Sequence, residues 1–279
     1  MSNLVSTEWL AAHLHDPDLA VLDATLYLPA EGKNAKQEFA SAHIQGARFF
    51  DIDAIADPDA DLPHMVPTPA RFAKLVGALG VGNDSMVVFY DQPGNAFAAR
   101  GWWMMGLFGH DRVALLDGGL RKWRMENRPI ETGPPKPAAP RAFRPNFRAD
   151  RLRGIGDMID NVASRAALVL DARGAPRFRG EVPEARPGLR AGHIPGAANL
   201  PYSELLQADG TFLPAEKLRT RLAAAGVDGS RPVVTSCGSG VSATVLTLAM
   251  AEAGLPHGAV YDGSWTEWGG RPDTPVETA

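Results

Sequence analysis

The chain has 279 residues, of which 45% are hydrophobic and 22% charged, and it carries a net charge of −4 at pH 7. That length suits two ordinary soluble domains, and the mildly acidic balance offers no polyanion-binding surface, so nucleic acid is not an expected partner. The single cysteine excludes an internal disulfide and a cysteine-rich metal site, and no apolar run reaches the roughly 18 residues of a membrane span. The first ten residues lack a basic segment followed by an apolar core, so no secretory leader is expected, and a reducing cytoplasm is the expected compartment.

From the amino end, Val21-Leu22 reads as a buried strand and residues 71–79 space their apolar side chains helically. Residues 87–90 and 113–116 read as two further buried strands. Residues 133–145 hold five prolines, a composition that continues neither a helix nor a central strand, and they read as a linker. Beyond them, 167–170 and 233–235 repeat the strand signal, 243–253 reads as a helix stopped by Gly254, and a short strand precedes Asp262. Apolar strands alternating with helices predict an α/β fold, each half a mainly parallel sheet flanked by helices. The expected divisions are 1–132, a linker over 133–145, and 146–279.

The halves repeat one another. Ala42-His-Ile-Gln-Gly-Ala47 aligns with Gly192-His-Ile-Pro-Gly-Ala197, and Leu22-Asp-Ala24 with Leu170-Asp-Ala172. Gly80-Val81 ahead of 87–91 aligns with Gly226-Val227 ahead of 233–237, and Asp117-Gly-Gly-Leu-Arg-Lys-Trp123 with Asp262-Gly-Ser-Trp-Thr-Glu-Trp268. The matches keep their order while the offset drifts from 150 to 145 residues, which marks a tandem duplication. His43 and His193 recur in both copies and therefore read as structural, and Trp102, Trp103, Trp265 and Trp268 read as core.

The lone cysteine falls between a strand and a helix, in Val233-Val-Thr-Ser-Cys-Gly-Ser-Gly-Val-Ser-Ala243. A sulfur placed there faces backbone N–H groups and the positive end of a helix dipole, and both favour the nucleophilic thiolate. A buried cysteine also packs as a small hydrophobe. Gly238 and Gly240 argue for the reactive reading, because glycine marks a positive φ or a close approach to the backbone. The matching position in the first half is Asp91, so only the second copy can perform thiolate chemistry.

The loop Cys237-Gly-Ser-Gly-Val-Ser-Ala243 resembles the active-site loop of the 3-mercaptopyruvate sulfurtransferases, two-domain members of the rhodanese superfamily. So do Asp171-Ala-Arg173, Arg177-Phe-Arg-Gly180, Gly192-His-Ile-Pro-Gly-Ala-Ala-Asn-Leu200, Phe49-Phe-Asp-Ile-Asp53, Asp117-Gly-Gly-Leu120 and Tyr261-Asp-Gly-Ser-Trp265, so the resemblance spans nearly the whole chain. Ser242 departs from the family's usual threonine but keeps the hydroxyl.

The resemblance implies two tandem rhodanese-like domains, the first without the catalytic cysteine. It further implies a reaction in which Cys237 takes sulfur from 3-mercaptopyruvate as a persulfide, pyruvate leaves, and a thiol acceptor (thioredoxin is the expected one) or cyanide collects the sulfur. No cofactor and no metal are implied. Arg177 and Arg186 match the arginines that bind the substrate's carboxylate and keto groups, which suits the guanidinium fork, although either could be a solvated charge. Arg179 and Arg190 lie in the same region. Gly238, Gly240, Val241 and Ser242 belong to the loop that holds the substrate and the persulfide. Ser239 matches a serine that hydrogen-bonds the sulfur or substrate, with a helix cap as its other reading. Asp53 and His64 match first-half residues placed in the catalytic group, where they could move the proton pyruvate needs, and Asp53 also reads as an N-cap before residues 54–56.

Three rivals are open. A thiosulfate sulfurtransferase of the same fold resembles Cys-Arg-Lys-Gly-Val in this loop, whereas Gly238 and Ser239 are neutral and suit a monoanionic carboxylic acid better. A cysteine phosphatase or arsenate reductase resembles Cys-x5-Arg, whose arginine would stand at Ala243, so that class is disfavoured. A persulfide carrier serving cofactor or RNA thiolation would use the same loop.

Overall fold

The computed structural model describes residues 2–28, 31–135 and 137–278, so Lys136 in the proline-rich stretch lies outside the described residues. They form two compact units. The first comprises residues up to Pro58, Val66–Arg148 and Gln207–Phe212; the second comprises Asp59–Met65, Ala149–Leu206 and the residues from Leu213 onward.

The first unit contains β1 (Leu4–Val5), α1 (Thr7–His13), β2 (Leu19–Asp23), α2 (Ala35–Ser41), β3 (His43–Ile44), β4 (Arg48–Phe49), α3 (Ile52–Ile55), α4 (Pro69–Ala78), β5 (Met86–Tyr90), α5 (Ala99–Leu107), β6 (Val113–Leu116), α6 (Gly119–Met125) and β7 (Ile130–Glu131). The second contains β8 (Leu152–Arg153), α7 (Ile155–Ser164), β9 (Leu168–Asp171), α8 (Ala175–Phe178), β10 (Ala198–Asn199), α9 (Ala215–Ala224), β11 (Val233–Ser236), α10 (Ala243–Glu252), β12 (Ala259–Tyr261) and α11 (Ser264–Trp268).

The duplication is visible in the topology. The first sheet runs β1-β6-β5-β2-β4 and the second β8-β12-β11-β9-β10, the same order for corresponding strands. All pairings within the two sheets are parallel. The central strands β5 and β11 are buried along their whole length, as parallel strands covered on both faces must be. The helices that follow them are equally apolar: every residue of α5 is buried, and so are eight consecutive residues of α10 from Ala243 to Met250. A helix without a polar face has to lie inside the fold.

Local chemistry sets the helix starts. Ser6, Asn34 and Thr68 accept the N–H groups of Trp9, Gln37 and Arg71, and Pro69 opens α4 where its missing N–H costs nothing. The proline-rich stretch is bound to the first unit rather than hanging free. Arg141 donates its N–H to Gly77 O at 2.9 Å and its guanidinium to Asp84 at 2.6 Å, while Phe143 is buried beside Phe72.

Both units close the same way. In the first, β3 pairs antiparallel with β7, and Trp123 Nε1 donates to Pro129 O at 2.8 Å. In the second, His193 bridges Glu277, and Trp268 Nε1 donates to Pro275 O at 2.8 Å. His43 and His193 make matched contacts, each bonding a backbone carbonyl (Phe39, Phe178) through Nδ1 and stacking on that phenylalanine's ring. The four tryptophans read as core are all buried.

Candidate active site

Cys237 is the first residue beyond β11, at the carboxyl end of the second unit's central strand, where open α/β sheets collect ligands. The residue is 1% exposed. Its backbone is fixed on both sides: the Cys237 N–H donates to Ser264 Oγ at 3.1 Å, and its carbonyl accepts from Trp265 N at 3.0 Å. Gly238 O accepts from Thr266 N at 2.8 Å and from Thr266 Oγ1 at 2.6 Å. The start of α11 therefore holds the start of the cysteine loop.

The two loop glycines serve the two purposes glycine suits. Gly240 has φ +77°, which a side chain would strain. Gly238 keeps an ordinary φ but abuts Arg177, since a Cβ at 238 would lie 3.4 Å from Arg177 Nη2. Among the described residues, the backbone N–H groups of Gly238, Ser239, Val241 and Ser242 have no protein acceptor. They are unclaimed donors in the loop that begins at Cys237.

The first unit carries a carboxylate at the corresponding step, in a loop two residues longer (91–98 against 237–242). Asp91 follows β5 as Cys237 follows β11, and its buried carboxylate accepts the N–H groups of Gly94 at 2.8 Å, Asn95 at 3.2 Å and Ala98 at 3.1 Å. Burial pushes Asp91 up to about 6, against the pull of those donors. That cradle already contains its anion.

Four arginines fall between residues 177 and 190, and the structure sorts them. Arg179 pairs with Glu181 at the surface. Arg190 is spent on the backbone carbonyls of Trp268, Gly269 and Thr274 and on the Thr274 hydroxyl. Arg177 stands beside Gly238; one edge bonds Glu184, and its Nε is buried with no protein partner. Arg186 donates from Nη2 to His64 Nε2 at 3.4 Å. Because a guanidinium only donates, His64 carries its proton on Nδ1 in this contact. His64 belongs to the second unit, with the segment Asp59–Met65, and has φ +62°.

The structure thus joins Cys237, Gly238, Ser239, Gly240, Val241 and Ser242 in one loop, with Arg177 against it and Arg186 bonded to His64. Asp53 lies in the first unit, on the wall of a polar cavity of about 300 Å³ shared with Tyr27, Lys33 and Asn34. Two local readings are corrected. Asp51, not Asp53, caps α3 by accepting the Ala54 N–H at 3.0 Å, and Asp53 is the helix's second residue. Ser239 does not cap the helix after the loop: α10 begins at Ala243 with Ser242 in the cap position and no side-chain cap bond.

Sequence reading missed the charges behind Arg177. Arg173, fully buried, bonds Asp171 at 2.7 Å, Glu184 at 2.7 Å and Gly192 O at 2.9 Å, and it stacks on Trp265 with Cζ 4.4 Å from the ring centroid. Burial alone would depress this guanidinium; the carboxylates of Asp171 and Glu184 outweigh that and raise it.

Residues 6–126 and 155–271 each match the rhodanese-like domain. The chain is 41% identical over 275 residues to the 3-mercaptopyruvate sulfurtransferase of Escherichia coli (strain K12), covering 98% of this chain and 97% of that protein. It is 39% identical over 272 residues to the thiosulfate sulfurtransferase of Cricetulus griseus, covering 95% and 91%. The crystal structure of the Tum1 protein from Saccharomyces cerevisiae superposes with a TM-score of 0.90 at 32% identity, covering 99% of this chain and 98% of that one.

Proposed function

The chain belongs to the rhodanese family of tandem-domain sulfurtransferases, and from that premise we propose that it takes sulfur from 3-mercaptopyruvate through a persulfide on Cys237. The Cys237 thiolate attacks the donor's sulfur, a new S–S bond forms, and the donor's C–S bond breaks. Its electron pair passes to the methylene carbon as an enolate, which gains a proton and leaves as pyruvate. The open N–H groups of Gly238, Ser239, Val241 and Ser242 hold the persulfide anion. An acceptor thiolate, with a thioredoxin-type dithiol as the candidate, then attacks the outer sulfur and frees Cys237.

Arg177, whose Nη2 lies against Gly238, and Arg186 bind the donor's carboxylate and keto oxygen. Ser239 bonds the sulfur, and His64 and Asp53 serve the proton transfer. The observation that carries this reading is the contrast between the repeats: one loop holds its own carboxylate, the other leaves its donors open beside a thiol. Neutral residues at 238 and 239 favour a monocarboxylate over thiosulfate, which brings two negative charges to the loop. A lone thiol used in this way needs a reducing compartment such as cytoplasm.

The test is intact-mass spectrometry after exposure to 3-mercaptopyruvate, with pyruvate release followed in parallel. The expected result is one added sulfur atom located on Cys237, absent from C237A, and a kcat/KM for 3-mercaptopyruvate above that for thiosulfate. Pyruvate release by C237A at the wild-type rate would remove the cysteine from the mechanism; a preference for thiosulfate would reassign the donor.

A further inference from the structure

The strand-end aspartate occurs in both repeats, Asp23 as the last residue of β2 and Asp171 as the last of β9, but its surroundings differ. Asp23 is served by neutral donors, the N–H and hydroxyl of Thr25 and the amide of Gln92. Asp171 is served by Arg173, which continues through Glu184 to Arg177. Two guanidiniums and two carboxylates thus form a neutral row, with the Arg173 and Glu184 side chains each 1% exposed and Asp171 3% exposed. The first unit builds the same five-stranded sheet with no such row at Asp23 among the described residues, so the sheet does not require it. A buried ionic row is also a poor source of stability compared with apolar packing of similar volume.

Glu184 is the junction. One carboxylate oxygen accepts from Arg173 and the other from Arg177, while Arg177 has no other carboxylate partner among the described residues. Glu184 grips Arg177 through Nη2, the same atom that lies against Gly238, while the buried Nε has no partner among the described residues. Arg173 is itself clamped by Asp171, Gly192 O and the Trp265 ring, and Trp265 bonds the Cys237 carbonyl. A single clamp therefore reaches both the nucleophile's backbone and the neighbouring cation. We infer that Glu184 is a positioning residue that fixes the Arg177 guanidinium beside Gly238, where it meets the donor's carboxylate. This rests on the reading of Arg177 as a substrate-binding residue.

The experiment is a double-mutant cycle of E184Q and R177M, assayed with 3-mercaptopyruvate, with thermal melting as the structural control. E184Q keeps an acceptor for Arg173 but drops the charge that holds Arg177. The expected result is a KM raised about 10-fold or more with kcat changed less than about 3-fold, the size of one lost charge-assisted hydrogen bond in ground-state binding. In the R177M background E184Q should then raise KM no further, because the residue it positions is gone. If E184Q does not fold, E184D is used in the same cycle, since it withdraws the carboxylate from Arg177 by one methylene while keeping the charge. An unchanged KM in the single variant, or an effect of equal size in the R177M background, would overturn the inference. R177M with a wild-type KM would instead overturn the substrate-binding reading of Arg177.

Discussion

Asp91 and Cys237 stand at the same step of the two repeats, one residue past the central strand, and Asp91 places a carboxylate on N–H groups of its own loop. Its ionisation is tied to folding. Burial raises Asp91 from the ordinary aspartate range to about 6, so its favourable contribution is complete below about pH 4 and is lost as pH rises through about 6. An amide at 91 does not titrate. Relative to D91N, the wild type should lose on the order of 2–3 kcal/mol of stability between pH 4 and pH 7. Urea midpoints of both proteins at pH 4.5 and pH 7 measure this, and parallel pH dependences would refute it.

Ser264 supports the cysteine from below. Its hydroxyl accepts the Cys237 N–H at 3.1 Å and donates to Tyr261 O at 2.8 Å, from a backbone at φ +49°. The first repeat has Gly119 there, at φ +59°. S264A removes both bonds while keeping a Cβ at positive φ, and should cost about 1–3 kcal/mol and lower kcat. S264G removes the bonds but relieves the backbone, so it should melt above S264A. Thermal melting ranks the pair; equal midpoints would contradict the backbone argument.

His64 carries a second left-handed backbone, at φ +62°, and accepts from Arg186. H64G should melt at or near the wild-type temperature, because relief of about 1 kcal/mol offsets lost side-chain contacts. H64A should melt lower, and both should raise KM for 3-mercaptopyruvate as Arg186 loses its acceptor. A stable H64A with unchanged KM would detach His64 from substrate binding.

The glycine at 238 is matched to Arg177. G238R would place a side chain and a second cation where a Cβ already comes within 3.4 Å of Arg177 Nη2. Its kcat/KM for 3-mercaptopyruvate should fall at least about 10-fold, with thiosulfate falling less, because a dianion better offsets two adjacent cations. Steady-state assays with both donors measure the ratio; equal losses would show a steric effect alone.

Much of this was legible in the residues. Repeated motifs marked the duplication, and continuous apolar runs marked β5 and β11, because buried parallel strands leave no polar alternation to confuse them. The edge strands β1, β4, β8 and β10 span two residues each, too few to carry a period. The closing clasp was readable but unread: Pro129-Ile-Glu-Thr132 recurs as Pro275-Val-Glu-Thr278. In Asp51-Ile-Asp53 either aspartate could cap, and only the position of the first helical turn decides for Asp51. Glu184 carries no signal at all, since a loop glutamate acquires its meaning from two guanidiniums that the fold brings to it.

The sole sulfhydryl of the chain has a consequence for its traffic. With no second thiol in the chain, the persulfide proposed on Cys237 cannot discharge into an intramolecular disulfide. Under that proposal each round ends in an encounter with a second molecule, and throughput is governed by how often a suitable collector arrives.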